Sequence, residues 1–531
     1  MPAIWKNTVP AQTLRKNVED RFYTSFGEAP YGVYSSPGRV NLLGEHIDYC
    51  GGTVLPFALP QRTFVAMAPR QDGKITAVTA QGDAGSTAPD DNTETVQFAE
   101  VGTQPLSGWL SYVAGVPWAM QQQKQGDFAG FSPEGFGANI AIDSSVPLGA
   151  GLSSSAALEC AVALGVDDLL TAQQPTRELL ASTDQGGAAL ASACIQAEND
   201  IAGASTGGMD QSISLRAEEG SVLAIDCRDF STRPLTIDVA SANLSVLVID
   251  TRAYHNLSDG QYAARRAATE VAREALGVNH LRDAFQGTPT LKEAQELIEQ
   301  WDNNVDSYNL PDGTDRAVIR DALRHVWTEI ARVEECIALF DNVNSPADDV
   351  WEKLGELLNA SHDSLRDQYR VSCPELDTAV NAAREAGALG ARMTGGGFGG
   401  SAIALVPTEN LENLAEAVAE AFDREGFNPP EFLVATPSRS AEKEEDPHVH
   451  LHPEPATGSR SHPQTLRLPS NNYRSRCQPL IAHLPQRATA RTPLPTTQNT
   501  RSRPRRPPRP LAQPHSRRPI HLEGRRVPAA H

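Results

Sequence analysis

The chain changes character near residue 450, and that change limits how much of it can fold. Fifteen of its 46 basic residues, all Arg, lie from Leu451 onward, but only two of its 66 acids do, Glu454 and Glu523. The segment therefore carries +13 and the remainder −33. A run such as RSRPRRPPRP cannot continue a helix or join a central strand, because each proline removes a backbone donor. With few periodic apolar residues, the segment cannot bury enough surface to offset its ordering entropy. A disordered, basic Pro/Arg-rich tail is expected over 441–531, which leaves a body long enough for two domains.

The remaining bulk properties are those of a globular protein, with 40% hydrophobic and 21% charged residues. No apolar run approaches the ~18 residues of a spanning helix, and the first residues lack a signal-peptide core, so no membrane partner is expected. The acidic body argues against nucleic acid as its partner. The basic tail leaves docking on RNA or on an acidic protein as a separate possibility. Seven cysteines without paired spacing suit a reducing cytoplasm and argue against zinc.

RTFVAMAPR and KITAVTA read as adjacent strands, and GANIAIDSS, SVLAIDCRD, NLSVLVIDTRA and GSAIALVP read as further strands. A helix is expected to start within GLSSSAALECAVALG, and long helical patterns follow Asp259. The fold class is α+β, with domains over 1–215 and 216–440.

Three stretches carry the chemistry. SSPGRVNLLGEHIDYCGGTVLP crowds Arg39, Glu45, His46 and Asp48 between glycine-bearing turns, more charge than a β-hairpin needs. In VPLGAGLSSSAALE, glycines free the backbone to face an anion at the positive end of a helix. Ser153, Ser154 and Ser155 there can donate to phosphate or ligate a hard cation. The same run also serves as an ordinary capped helix start. It lacks the Lys of a Walker A loop, and the chain has neither the His-Arg-Asp nor the Asp-Phe-Gly motif of protein kinases. TGGGFGGSAIAL is a second glycine cluster. In QAENDIAGASTGGMDQSIS, Glu198 ends a helical run and Asp210 follows two glycines that let the chain turn into a pocket.

In their order and spacing these stretches resemble the three signature motifs of the GHMP small-molecule kinases, and the first resembles the galactokinase branch. GGMDQSISL, SDGQYAARR and SHDSLRDQYRVSCPELD are similar to that branch too, over about Val18 to Ser438. The resemblance implies a domain like the second domain of ribosomal protein S5, packed on a ferredoxin-like domain. It implies ATP-dependent phosphorylation of D-galactose at C1 by a cytoplasmic monomer, with Mg²⁺ as cofactor. It places Glu45, His46, Asp48 and Tyr262 on the sugar, and Gly149, Ala150, Gly151, Leu152, Ser153, Ser154 and Ser155 around the triphosphate. Mg²⁺ falls to Ser155 and Glu198, the general base to Asp210 and the transition-state cation to Arg39. A kinase for galacturonate, arabinose or N-acetylgalactosamine is the nearest alternative, and a non-catalytic sugar- and ATP-sensing regulator is another. Two departures from the pattern stand out: Asn199 where many members have His, and GASTGGMD in place of Cys-Gly-Ile-Met-Asp.

Overall fold

Alternating apolar residues build the first sheet, and the same alternation decides which layer covers each face. The computed structural model describes residues 2–6, 9–80, 92–123, 128, 136–173, 177–204, 206–253, 261–341 and 348–445. All lie in the unit Met1–His452. The strands are β1 (Ile4–Trp5), β2 (Gly32–Asn41), β3 (Thr53–Val54), β4 (Pro56–Arg70), β5 (Lys74–Thr79), β6 (Asn92–Gln97) and β7 (Gly137–Ser144). Then follow β8 (Val222–Asp226), β9 (Ser231–Leu235), β10 (Leu244–Asp250), β11 (Gly390–Thr394), β12 (Ser401–Pro407), β13 (Glu431–Ala435) and β14 (Glu442–Lys443). They form a six-stranded sheet β14-β2-β4-β7-β5-β6, a three-stranded sheet β3-β8-β9 and a five-stranded sheet β1-β13-β10-β12-β11.

Helix α1 (Ala11–Phe26) buries Leu14, Val18 and Phe22, spaced one turn apart, against Val33, Phe64 and Ala66. The intervening residues Tyr34, Val65 and Met67 face the opposite layer. That layer includes α2 (Trp109–Gln122), α3 (Ser154–Gln173), α4 (Asp184–Ala197) and α5 (Met209–Arg216). Beyond the first half come α6 (Gln261–Leu276), α7 (Leu291–Asn304), α8 (Arg316–Asp341), α9 (Asp348–Ser364), α10 (Pro374–Glu385) and α11 (Leu411–Glu425). Helix α8 keeps a buried stripe of Ile319, Leu323, Val326, Ile330, Val333 and Ile337.

Two expectations change. RTFVAMAPR and KITAVTA are not neighbours in the sheet: β7 lies between β4 and β5, antiparallel to the first and parallel to the second. Gly137 makes this possible, since a Cβ there would stand 2.7 Å from the Lys74 carbonyl oxygen, where the 71–73 turn crosses the start of β7. The body also does not stop at 440. Strand β14 pairs with β2, the Ala441 N–H donates to Ser214 O at 2.7 Å and the Glu444 N–H to Val33 O at 2.9 Å. Lys443 Nζ reaches Asp168 Oδ2 at 2.6 Å, an oxygen that also accepts from Tyr34 OH at 2.7 Å. Residues 441–445 are thus part of the fold, and the rest of the expected tail lies outside the described residues. Among the described residues no helix is long and apolar enough to cross a membrane.

Ending the chain after Ser440 strips these bonds and leaves the Asp168 carboxylate without its lysine, a loss of about 2–4 kcal/mol. Thermal unfolding should show the chain ended at Ser440 melting at least about 3 °C below the one ended at Glu445. Equal midpoints would show that the last strand holds nothing.

Candidate active site

The site begins at an irregularity in β2. The register with β4 shifts between Pro37 and Arg39, which re-aims the end of the strand. Gly38 sits where a Cβ would meet Leu152 O at 2.6 Å, so the glycine-serine loop can pass close, and the Arg39 N–H donates to that same carbonyl at 3.1 Å. The Arg39 side chain is buried. Its Nε donates to Asp210 Oδ1 and its Nη2 to Asp210 Oδ2, both at 2.8 Å, while Nη1 donates to Gly151 O at 2.7 Å. Asp210 stands in the first turn of α5, and the chain enters that helix through Gly208 at φ +98°. Ser153 Oγ donates to Asp210 Oδ2 as well.

The two glycine clusters meet each other. A Cβ on Gly395, itself at φ +85°, would lie 2.8 Å from Gly151 O, and Ser401 Oγ donates to Ala150 O at 2.7 Å. Ala150 therefore stands behind the wall of the site, with its side chain in the core. The loop ends at Ser153, held at φ +60°, and α3 opens at Ser154.

The charged loop after β2 is braced from the second half of the chain. Glu45 Oε1 accepts from Gly395 N at 2.8 Å and from Thr394 Oγ1 at 3.1 Å, with Arg392 Nη2 at 3.4 Å. Fully buried Arg392 also donates to the carbonyls of Asn41 and Leu42. Glu329 Oε1 accepts from Gly44 N at 3.0 Å, and His325 Nε2 lies 3.0 Å from Glu45 O. His46, at φ +61°, has its Nδ1 2.9 Å from Tyr49 OH, which is 2.9 Å from Tyr369 OH. Burial, and then the neighbouring His325, push the His46 imidazole down to about 3, so it is neutral. Asp48 goes the other way, up to about 7, through burial and then the Asp210 charge. Sequence reading missed Arg392, Glu329 and His325, because nothing local marks a buried charge as the brace of a loop hundreds of residues away.

One cavity of about 640 Å³ joins these parts. Arg39, Glu45, His46, Asp48, Glu198 and Asp210 line it, as do Gly149 and Gly151 to Ser155 of the glycine-serine loop and Gly395 to Gly397 of the later cluster. Its walls also include Trp109 and Tyr112 of α2 with Thr63, Thr79 and Ser144, none of them expected from the sequence. The signal available was an aromatic pair one turn apart at a helix start. Ser155 Oγ donates to Glu198 Oε1 at 3.0 Å. Burial, followed by the Asp210 charge, raises Glu198 to about 7. Asn199, the departure noted above, bonds Ile195 O and the Thr206 N–H and so ties its own loop. Tyr262 falls at the start of α6, with its side chain outside the described residues.

A galactokinase galactose-binding signature matches residues 20–69, a GHMP kinases N terminal domain 111–218 and a GHMP kinases C terminal domain 347–424. The galactokinase of Streptomyces coelicolor is 39% identical over 432 residues, 81% of this chain and 99% of that protein. That of Canis lupus familiaris is 36% identical over 408 residues, 76% of this chain and 90% of that one. The crystal structure of Lactococcus lactis galactokinase complexed with galactose matches at a TM-score of 0.67 and 27% identity, covering 81% of this chain and 100% of that one. The observed architecture is the mixed α/β GHMP kinase fold, and the chain belongs to the galactokinase family.

Proposed function

We propose that the chain transfers the γ-phosphoryl group of ATP directly to the C1 hydroxyl of D-galactose, giving galactose 1-phosphate and ADP. The observation that carries this reading is the Arg39–Asp210 pair, which stands where the glycine-serine loop meets the charged loop in one cavity. Glu45, neutral His46 and Asp48 offer acceptors and donors that suit sugar hydroxyls, and Tyr262 is assigned to the same sugar. Gly149 to Ser155 would take the triphosphate, and Trp109 and Tyr112 supply an aromatic wall suited to the nucleobase.

Asp210 accepts the C1 proton as the hydroxyl attacks. Arg39 holds both carboxylate oxygens of Asp210 in place and offsets charge on the moving phosphoryl group. Ser155 and Glu198 fit Mg²⁺: they are hard oxygen donors on the cavity wall, and Glu198 is raised by burial and then by the Asp210 charge, which a bound cation would offset. When bound, the ion supplies positive charge to the phosphate oxygens. A cytoplasmic setting is supported by the described cysteines, all of them free.

A coupled ADP-release assay across a sugar panel, with analysis of the product, tests the function. Galactose should turn over and yield an acid-labile 1-phosphate, whereas phosphate on C6 or comparable turnover of glucose would sink the reading. Asp210→Asn should cut kcat by at least about a thousandfold and leave galactose and ATP binding within about threefold. Retention of more than about a tenth of wild-type turnover would mean that another group takes the proton.

Asp48 predicts a pH effect. Its folded pKa of about 7 lies above the ordinary 3.8, so the folded state keeps this proton where the unfolded chain has lost it. The stability it contributes is full at low pH and is lost as pH rises through about 7. Without sugar, the wild type should melt progressively lower relative to Asp48→Asn between about pH 5 and pH 8. Parallel curves would rule out a protonated Asp48.

A further inference from the structure

Behind Glu198 stands an acid that the reaction does not use. Glu159 follows Ser155 by one turn of α3, so both side chains point the same way, and it is 0% exposed. Its Oε2 accepts from Gln211 Nε2 at 3.1 Å, and the same amide nitrogen also donates to Glu198 Oε2. Gln211 directly follows Asp210 in α5. One side-chain amide therefore joins α3, the end of α4 and the helix that carries the proposed base. Both its hydrogens go to carboxyl groups.

The remaining acceptors have no protein donor. Glu159 Oε1 and Gln211 Oε1 are both buried without a hydrogen-bond partner. Among the described residues Glu159 forms no ion pair, and the groups that act on it are acids, a thiol and the Gln211 amide. Two orphaned acceptors on a bonded pair of planar groups is a costly arrangement in a dry interior, and one proton between them removes both defects.

We propose that Glu159 is a permanently neutral carboxylic acid whose O–H is donated to Gln211 Oε1, closing a two-bond acid–amide ring that makes Gln211 the positioning residue for Glu198. The ring decides which way the amide faces. With Gln211 Oε1 bound to the Glu159 proton, its N–H₂ end must point to Glu198, and the flipped amide would set carbonyl against carboxylate. Glu198 is then held on one oxygen by Ser155 and on the other by Gln211. Burial, and then the negative Glu198, push the Glu159 acid well above the ordinary carboxylate range, in agreement with this geometry. The consequence for the ion rests on the reading that Ser155 and Glu198 hold Mg²⁺; the acid–amide pair itself does not.

Two measurements on the full chain separate these parts. Infrared spectra at about pH 8, above the ordinary carboxylate range, should show a protonated carboxyl band that disappears in Glu159→Gln. Mn²⁺ binding in the presence of ADP, followed by electron paramagnetic resonance, reads the positioning. Glu159→Gln, whose amide can close the same ring, should stay within about twofold of wild type, whereas Glu159→Met should bind about tenfold more weakly. If Glu159→Met does not fold, Gln211→Met should show the same weakening from the other side of the ring. The proposal is overturned if no carboxyl band is lost, if Glu159→Gln weakens Mn²⁺ binding as much as Glu159→Met, or if Gln211→Met leaves it unchanged. A wild-type chain that shows the band but takes up no Mn²⁺ would support the acid–amide pair and sink the ion-holding reading instead.

Discussion

The grip of Arg39 on Asp210 organises the rest of the site. One guanidinium takes both carboxylate oxygens of α5 and a carbonyl of the glycine-serine loop, and so fixes three segments distant in sequence relative to one another. Bidentate geometry sets the orientation of the carboxylate as well as its distance. The grip also has a steric requirement. Gly38 admits the loop backbone on one side. Next to Gly208, a Cβ at Gly207 would meet Asp48 Oδ2 at 1.9 Å, so a larger residue there would push the Asp48 carboxylate aside. Arg39 is the buried member and Asp210 faces the cavity, so the carboxylate is what keeps the guanidinium charge compensated.

Around that pair the site is crowded with acids. Asp48, Glu159 and Glu198 are all driven toward their neutral forms, in each case first by burial and then by a neighbouring carboxylate. Such an arrangement is short of positive charge and rich in oxygen donors. It suits a partner that brings cations and hydroxyls, which is what a metal-bound nucleotide and a sugar offer.

The second half of the chain contributes rigidity to the charged loop. Glu45 is held by the backbone of Gly395 and the hydroxyl of Thr394, and the carbonyls of Asn41 and Leu42 take the guanidinium of Arg392. Glu329, drawn down to about 2 chiefly by Arg332 against the effect of its burial, stays ionised to receive the Gly44 N–H. These groups are placed to keep the loop from shifting, and a polar loop needs such support to present a fixed set of hydrogen-bond partners.

By itself the sequence determined the elements and the ingredients. Alternation in GANIAIDSS and the continuous apolar run in NLSVLVIDTRA mark β7 and β10, glycine and serine mark the loop before α3, and three collinear motifs point to the family. Those signals are local, and local backbone preference is written residue by residue. Tertiary structure alone decided that β7 enters between β4 and β5, that the chain returns at 441–445 to close the first sheet, and that Trp109 and Tyr112 wall the cavity. It also decided which charges are structural: nothing in the string separates Arg392 or Glu159 from a surface residue until burial and a partner are known. Strand order, burial and pairing depend on contacts between residues far apart in the chain, and a one-dimensional pattern carries no record of which distant group will fill a given hydrogen bond.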